Sequence, residues 1–164
     1  MKTKKVAFLG LSIALAMILS FVESQIPALV AIPGIKVGLP NLVIVFLLYK
    51  MSAKDAIIVS IIRTLLVSML FGNIQMLTFS VAGAALSLAS MILLKKTNWF
   101  STITVSIVGG IFHNIGQIAA AILWTQTAGI VSYLPVLLIS GTIAGAVIGL
   151  ISGMLVEKLK KWRF

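Results

Sequence analysis

Apolar positions along this chain fall into long unbroken runs, neither the alternation of a half-buried strand nor the narrow stripe of a soluble amphipathic helix. The runs extend from Val6 to Val22, Val37 to Tyr49, Ala56 to Phe71, Met76 to Leu94, Ile103 to Trp124 and Leu134 to Val156. A helix rises 1.5 Å per residue, so about 20 apolar residues cross a hydrocarbon core of about 30 Å. The pattern predicts an all-α integral membrane protein, a single domain over residues 1–164 built as a compact bundle of six transmembrane helices. The first run follows Met1-Lys2-Thr3-Lys4-Lys5 and so looks like a signal peptide. Its length of about 17 residues, with no small-x-small cleavage site before Glu23, predicts a retained span instead.

Composition strengthens this reading. Of 164 residues 60% are hydrophobic and 10% charged, and the mean hydropathy is +1.20. Ordinary soluble domains are about 45–50% apolar and about 25% charged, which excludes a cytosolic globular enzyme. Thirteen Lys and Arg against three Asp and Glu give +10. That excess sits between the apolar runs and not on one face or arm, so it does not indicate nucleic acid as a partner. Basic residues in short loops stay on the cytoplasmic side. With the N-terminus inside, six spans put Lys2, Lys4, Lys5, Lys50, Lys54, Lys95, Lys96, Lys158, Lys160, Lys161 and Arg163 in the cytoplasm, leaving Lys36 outside and Arg63 within a span. The expectation is a multi-pass protein of the bacterial cytoplasmic membrane with both termini inside. Tyr49, Trp99 and Trp162 near inner boundaries, and Trp124 and Tyr133 near outer ones, agree with an interfacial aromatic belt.

The second run is too short to span alone, and the stretch before it, Gln25 to Pro40, carries Pro27, Pro33, Gly34, Gly38 and Pro40. Those residues rule out a continuous helix and predict an ordered Pro/Gly-rich outer loop between the first two helices, packed over the bundle as a lid. A plain interfacial connection is the alternative. Ser52-Ala53-Lys54-Asp55 has capping-box spacing and predicts a clean helix start. Small residues signal close helix packing. Gly141, Gly145, Gly149 and Gly153 form a stripe that drifts around the sixth helix, which predicts contact with more than one neighbour. Gly10xxxAla14 and Ala16xxxSer20 on the first helix offer a surface for either a sister helix or a separate docking protein.

In so apolar a chain the informative residues are the costly ones. Arg63 in mid-span costs roughly 2.5–3.5 kcal/mol on the insertion scale, so it must face a partner, a ligand or water. It is either an anchor for an anionic or carbonyl-bearing ligand or half of a buried pair with Glu23. His113 and Gln117 lie one turn apart with Asn114 beside them, a polar stripe that either lines a cavity or holds helices together. Lys36, Asn41, Arg63, His113, Asn114 and Gln117 are therefore the candidate substrate contacts. Glu23, Gln25, Pro33, Gly34, Asn73, Gln75, Trp124 and Tyr133 are candidates for the lid and rim of a pocket that opens outward.

Several chemistries lack their residues. There is no G-x-x-x-x-G-K-[ST] loop for ATP, so energy for transport would have to come from a partner. No Asp-rich cluster could hold magnesium and diphosphate. His113 has no second ligand at metal-binding spacing, and no cysteine is present. The chain is expected to be neither an enzyme nor a metalloprotein.

The blocks Pro33-Gly34-Ile35-Lys36-Val37-Gly38-Leu39-Pro40-Asn41, Arg63, Ser80-Val81-Ala82-Gly83 with Ser87, His113-Asn114-Ile115-Gly116-Gln117 and Tyr133-Leu134-Pro135 resemble the bacterial proteins labelled heptaprenyl diphosphate synthase component I, also called the Gx transporter family. That family is similar in turn to the substrate-binding S components of energy-coupling factor (ECF) transporters. The resemblance implies six helices with both ends cytoplasmic and a vitamin- or flavin-like solute bound near the outer face. It also implies two partners, a coupling membrane protein and an ATPase pair that consumes the ATP. S components dock through an alanine-x-x-x-alanine surface of the first helix, where this chain has Gly10xxxAla14 and Ala16xxxSer20. The synthase label and the likeness to flavin-based extracellular electron transfer proteins imply an alternative, an accessory membrane subunit or scaffold for isoprenoid or menaquinone synthesis or for electron transfer.

Overall fold

Helix starts are set by short polar side chains that accept the free amides of the first turn. Ser52 Oγ accepts from Asp55 N, Asn73 Oδ1 from Met76 N, and Ser101 Oγ from Thr104 N. The computed structural model, which describes residues 2–25 and 38–161, places these caps at the heads of three of six α-helices. In chain order these are α1 (Lys2–Gln25), α2 (Asn41–Lys50), α3 (Ala53–Phe71), α4 (Ile74–Thr97), α5 (Thr102–Thr125) and α6 (Leu134–Lys158). A short 3₁₀ helix, Ala128–Tyr133, leads into α6. No strand occurs among the described residues. Thr3–Gln25, Ile74–Thr97, Thr102–Thr125 and Ala128–Lys158 are each long and apolar enough to cross a membrane, which marks a multi-pass membrane protein. The expected lid falls outside the described residues, Lys36, Pro33 and Gly34 included, except for Gln25 at the end of α1 and the turn Gly38–Pro40.

α2 has ten residues, about 15 Å of helix. It is apolar all round, and Val43 through Leu48 are all buried, as expected for a helix enclosed by others. It packs against α6, α3, α1 and α5. With Ala16, Ala56, Val59, Leu88, Met91, Val105 and Ile148 it forms the buried core. Its C-terminal carbonyls would otherwise be orphaned. Lys95 of α4 donates to the Leu48 carbonyl, and Lys95 Nζ stands 5.3 Å from the Tyr49 ring centroid. Lys50 in turn donates to the Leu159 carbonyl beyond α6, at 2.6 Å. Lys5 of α1 pairs with buried Asp55 at the head of α3, at 2.8 Å, and the Ser52 hydroxyl donates to the same carboxylate. One end of the bundle therefore gathers the lysines and uses three of them as fasteners.

The most extensive packing is that of α5 with α4 and with α6. A Cβ added to Gly110 would lie 2.5 Å from the Gly141 oxygen, and one added to Gly116 would lie 2.7 Å from the Ala82 oxygen. Gly145 and Gly149 meet the α5 backbone at Ile107 and Ile103, and the nearest atoms to Gly153 belong to Thr102. The glycine stripe of α6 thus faces a single neighbour, not several. The reason is geometric: α5 lies along the i, i+4 ridge of α6, so the stripe and its partner turn together.

Candidate functional site

The structure encloses a cavity of about 360 Å³, bounded by α1, α3, α4, α5 and α6 and floored by the start of α2. It extends from Glu23, Phe71 and Met76, near the lysine-poor end of the bundle, past mid-depth to Met91, six residues from the end of α4, and Ser106, four residues from the start of α5. The volume is at the low end of the roughly 300–1,000 Å³ of small-molecule sites.

Arg63 lies in the wall. Its Nη1 is 3.5 Å from Ser20 Oγ, a long contact, and Ser20 directs its own hydroxyl to the Ala16 carbonyl. Arg63 Nε and the neighbouring Thr64 Oγ1 are buried without a hydrogen-bond partner, two of three such side-chain atoms among the described residues. Both residues line the cavity, so its wall holds polar capacity that the described residues leave unused. Glu23 also lines it, acts electrostatically on Arg63 and accepts a hydrogen bond from the Gly38 amide. Gly38 has φ of +77°, a left-handed conformation that suits glycine and turns the chain into α2.

The six expected substrate contacts separate. Asn41, Arg63, His113 and Asn114 line the cavity together. Asn114 has one function already, since its amide donates to the Leu137 carbonyl and joins α5 to α6. Gln117 is not in the cavity wall, because its Cγ packs against Gly83 in the seam between α4 and α5. Lys36 lies outside the described residues. Of the expected rim, Glu23 lines the cavity, whereas Gln25 bonds locally to Ser24, Asn73 caps α4 and Gln75 is not in the wall. Tyr133 is exposed. Trp124 borders a separate shallow apolar groove with Ala82, Ala85, Leu86 and Ala119.

The small-residue surface of α1 divides likewise. Gly10 and Ala14 face outward, with nothing within 4 Å of a Cβ added at Gly10, while Ala16 and Ser20 are buried and Ser20 belongs to the cavity wall. They lie on opposite faces because Gly10xxxAla14 and Ala16xxxSer20 are offset by six residues, far from a whole number of turns.

Reading the sequence named none of the cavity's hydroxyls as a solute contact, although Ser80 and Ser87 stood in the blocks that carry the family resemblance. Ser24, Thr64, Ser68, Ser80, Ser87 and Ser106 all line the cavity. A signal was present on α3, where Ser60, Thr64 and Ser68 recur every four residues on the face flanking Arg63, and all three are buried. At the other end of α3, Asp55 lies just outside the apolar segment 56–71. Burial alone would raise its pKa, but the Lys5 ammonium and the Ser52 hydroxyl outweigh that and hold the carboxyl below its ordinary value.

A family model described as heptaprenyl diphosphate synthase component I matches residues 12–155. The chain belongs to that family. The match includes every residue of the cavity wall, from Ser20 to Ile148, so in this component I protein the cavity lies wholly within the family's own region. Comparison with curated proteins and with solved structures returns no match. Among the described residues of this component I protein, no three His, Cys, Asp or Glu side chains gather to hold a metal.

Proposed function

We propose that this protein is the solute-binding subunit of a micronutrient uptake system, similar to the S components of ECF transporters. Six segments cross the membrane with both termini in the cytoplasm, and the cavity opens to the outer face. It takes a small anionic or aromatic, vitamin- or flavin-like solute. A coupling membrane protein and an ATPase pair drive release, so ATP is used by the partners and this chain performs no chemistry of its own. The single observation that carries the reading is the 360 Å³ cavity at the lysine-poor end, with the Arg63 guanidinium in its wall. A mid-span arginine is costly, and an acceptor brought by a solute offsets that cost.

Native mass spectrometry of the protein extracted gently from its own membrane tests this. The expected result is a stoichiometric small-molecule adduct, lost in Arg63→Ala while the bundle stays monodisperse and helical. Unchanged adduct occupancy in Arg63→Ala removes the site.

The family's description favours a second reading, an accessory membrane subunit or scaffold that brings a soluble prenyl-transfer or redox enzyme to the lipid surface. Its function would lie in the lysine-bearing end. Lys50 and Lys95 are engaged with backbone carbonyls, so charge reversal there tests folding; Lys96, Lys158, Lys160 and Lys161 are the informative positions. Loss of function on reversing those four, with Arg63→Ala silent, selects the scaffold.

A further inference from the structure

We infer that the solute taken by the cavity is zwitterionic, with its carboxylate on Arg63 and its ammonium on Glu23. The inference rests on the solute-binding reading and departs from it in one respect, replacing a plain anion with a solute that carries both charges. Among the described residues of the wall, Arg63 and Glu23 carry the full formal charges, one of each sign. They share one cavity and interact electrostatically. Their order along it follows from α1. Arg63 Nη1 reaches toward Ser20, and Glu23 is three residues further on, one turn closer to the end of the helix. A solute arriving from that end meets the carboxylate first and the guanidinium deeper.

Burying net charge at low dielectric is costly unless the charge is paired. A plain anion would neutralise Arg63 and be repelled by Glu23; a plain cation would meet the reverse. A neutral solute would be tolerated, but hydrogen bonds to charged acceptors are roughly twice as strong as neutral ones, and Arg63 Nε has no acceptor among the described residues. A molecule carrying both signs satisfies both residues with no change in net charge. The hydroxyls of Thr64, Ser68 and Ser106 then face whatever lies between or beside its charged ends.

Tandem fragmentation of the adduct in native mass spectra tests the inference. The expected adduct contains both a carboxyl group and a basic amine. A solute with an acid group and no amine, or with neither, overturns the zwitterion and leaves the binding subunit standing. A protein that carries no solute overturns both. Glu23→Gln is the matching variant, since its amide oxygen can still accept from Gly38 N. Adduct occupancy is expected to fall at least about tenfold, the scale of one lost charged hydrogen bond. Unchanged occupancy overturns the role of Glu23. The composition of the wild-type adduct decides the question whether or not either variant folds.

Discussion

Two halves of the bundle solve the problem of holding helices together in lipid in opposite ways. α4, α5 and α6 meet backbone to backbone, with glycines where a Cβ would strike a neighbouring main chain. α1 and α3 pack less extensively on the rest, and between them and the glycine seam is a hydroxyl-lined cavity. Association in a bilayer depends on van der Waals contact and polar bonds, because the lipid is as apolar as the side chains. Along the seam the helices leave no space between them, although Gly109, Gly110, Gly141 and Gly145 also line one wall of the cavity. Where serine, threonine and one arginine replace such contact, space remains and each polar group needs a partner.

The largest contrast comes from adding a methyl group on either side. Gly110→Ala should push α5 and α6 apart and cost about 1–3 kcal/mol, at about 2–4 °C of melting temperature per kcal/mol, in a thermal unfolding scan in mild detergent. An unchanged melting temperature would show the seam to be looser than its geometry. Next is Lys5→Ala, which strips buried Asp55 of its ion pair. The cost should fall between the roughly 0–1 kcal/mol of an exposed pair and the roughly 3–5 kcal/mol of a buried one, since only the carboxylate is buried. Asp55 titrates below its ordinary value in the fold, so its contribution is present at neutral pH and lost as pH falls through that lowered pKa. Acid titration of stability should therefore be steeper in the wild type than in Asp55→Asn; equal slopes would remove the fastener.

Asn73→Ala should cost about 1 kcal/mol through the lost cap of α4 and leave solute occupancy unchanged, a result that separates helix capping from the pocket. Smallest in stability is Ser80→Leu on the cavity wall. It should leave the melting temperature level or raise it by the equivalent of about 0.5–2 kcal/mol while displacing the solute. A destabilised Ser80→Leu would mean that both halves are packed alike.

Helix number was legible because five of the six apolar runs are long and Ser52 marks one start, whereas Asn73, read as a rim residue, and Ser101 proved to be caps as well. The shortness of α2 was legible too, from Pro40 and Lys50 on either side. Side-chain facing was harder. Weakly amphipathic helices give little phase, so Gln117 and Asn114 read as equals although one belongs to the seam and the other to the cavity wall. Lys50 and Lys95 read as solubilising charges because their acceptors, the carbonyls of Leu159 and Leu48, are distant in sequence. Taken singly, Ser68 and Ser106 gave no signal, since hydroxyls in apolar helices usually return their hydrogen bond to their own backbone, as Ser12 and Ser20 do here.

The short buried helix has one more consequence. A cavity cut deep into a membrane protein thins the barrier against ion leakage, and what remains beneath it must insulate as well as the lipid does. Here that task falls to the end of α2, where Phe46, Leu47 and Leu48, next to the Val45 that lines the cavity, are apolar and buried. A single charge placed at Leu47 would be expected to make the membrane leaky to protons before it made the protein unstable.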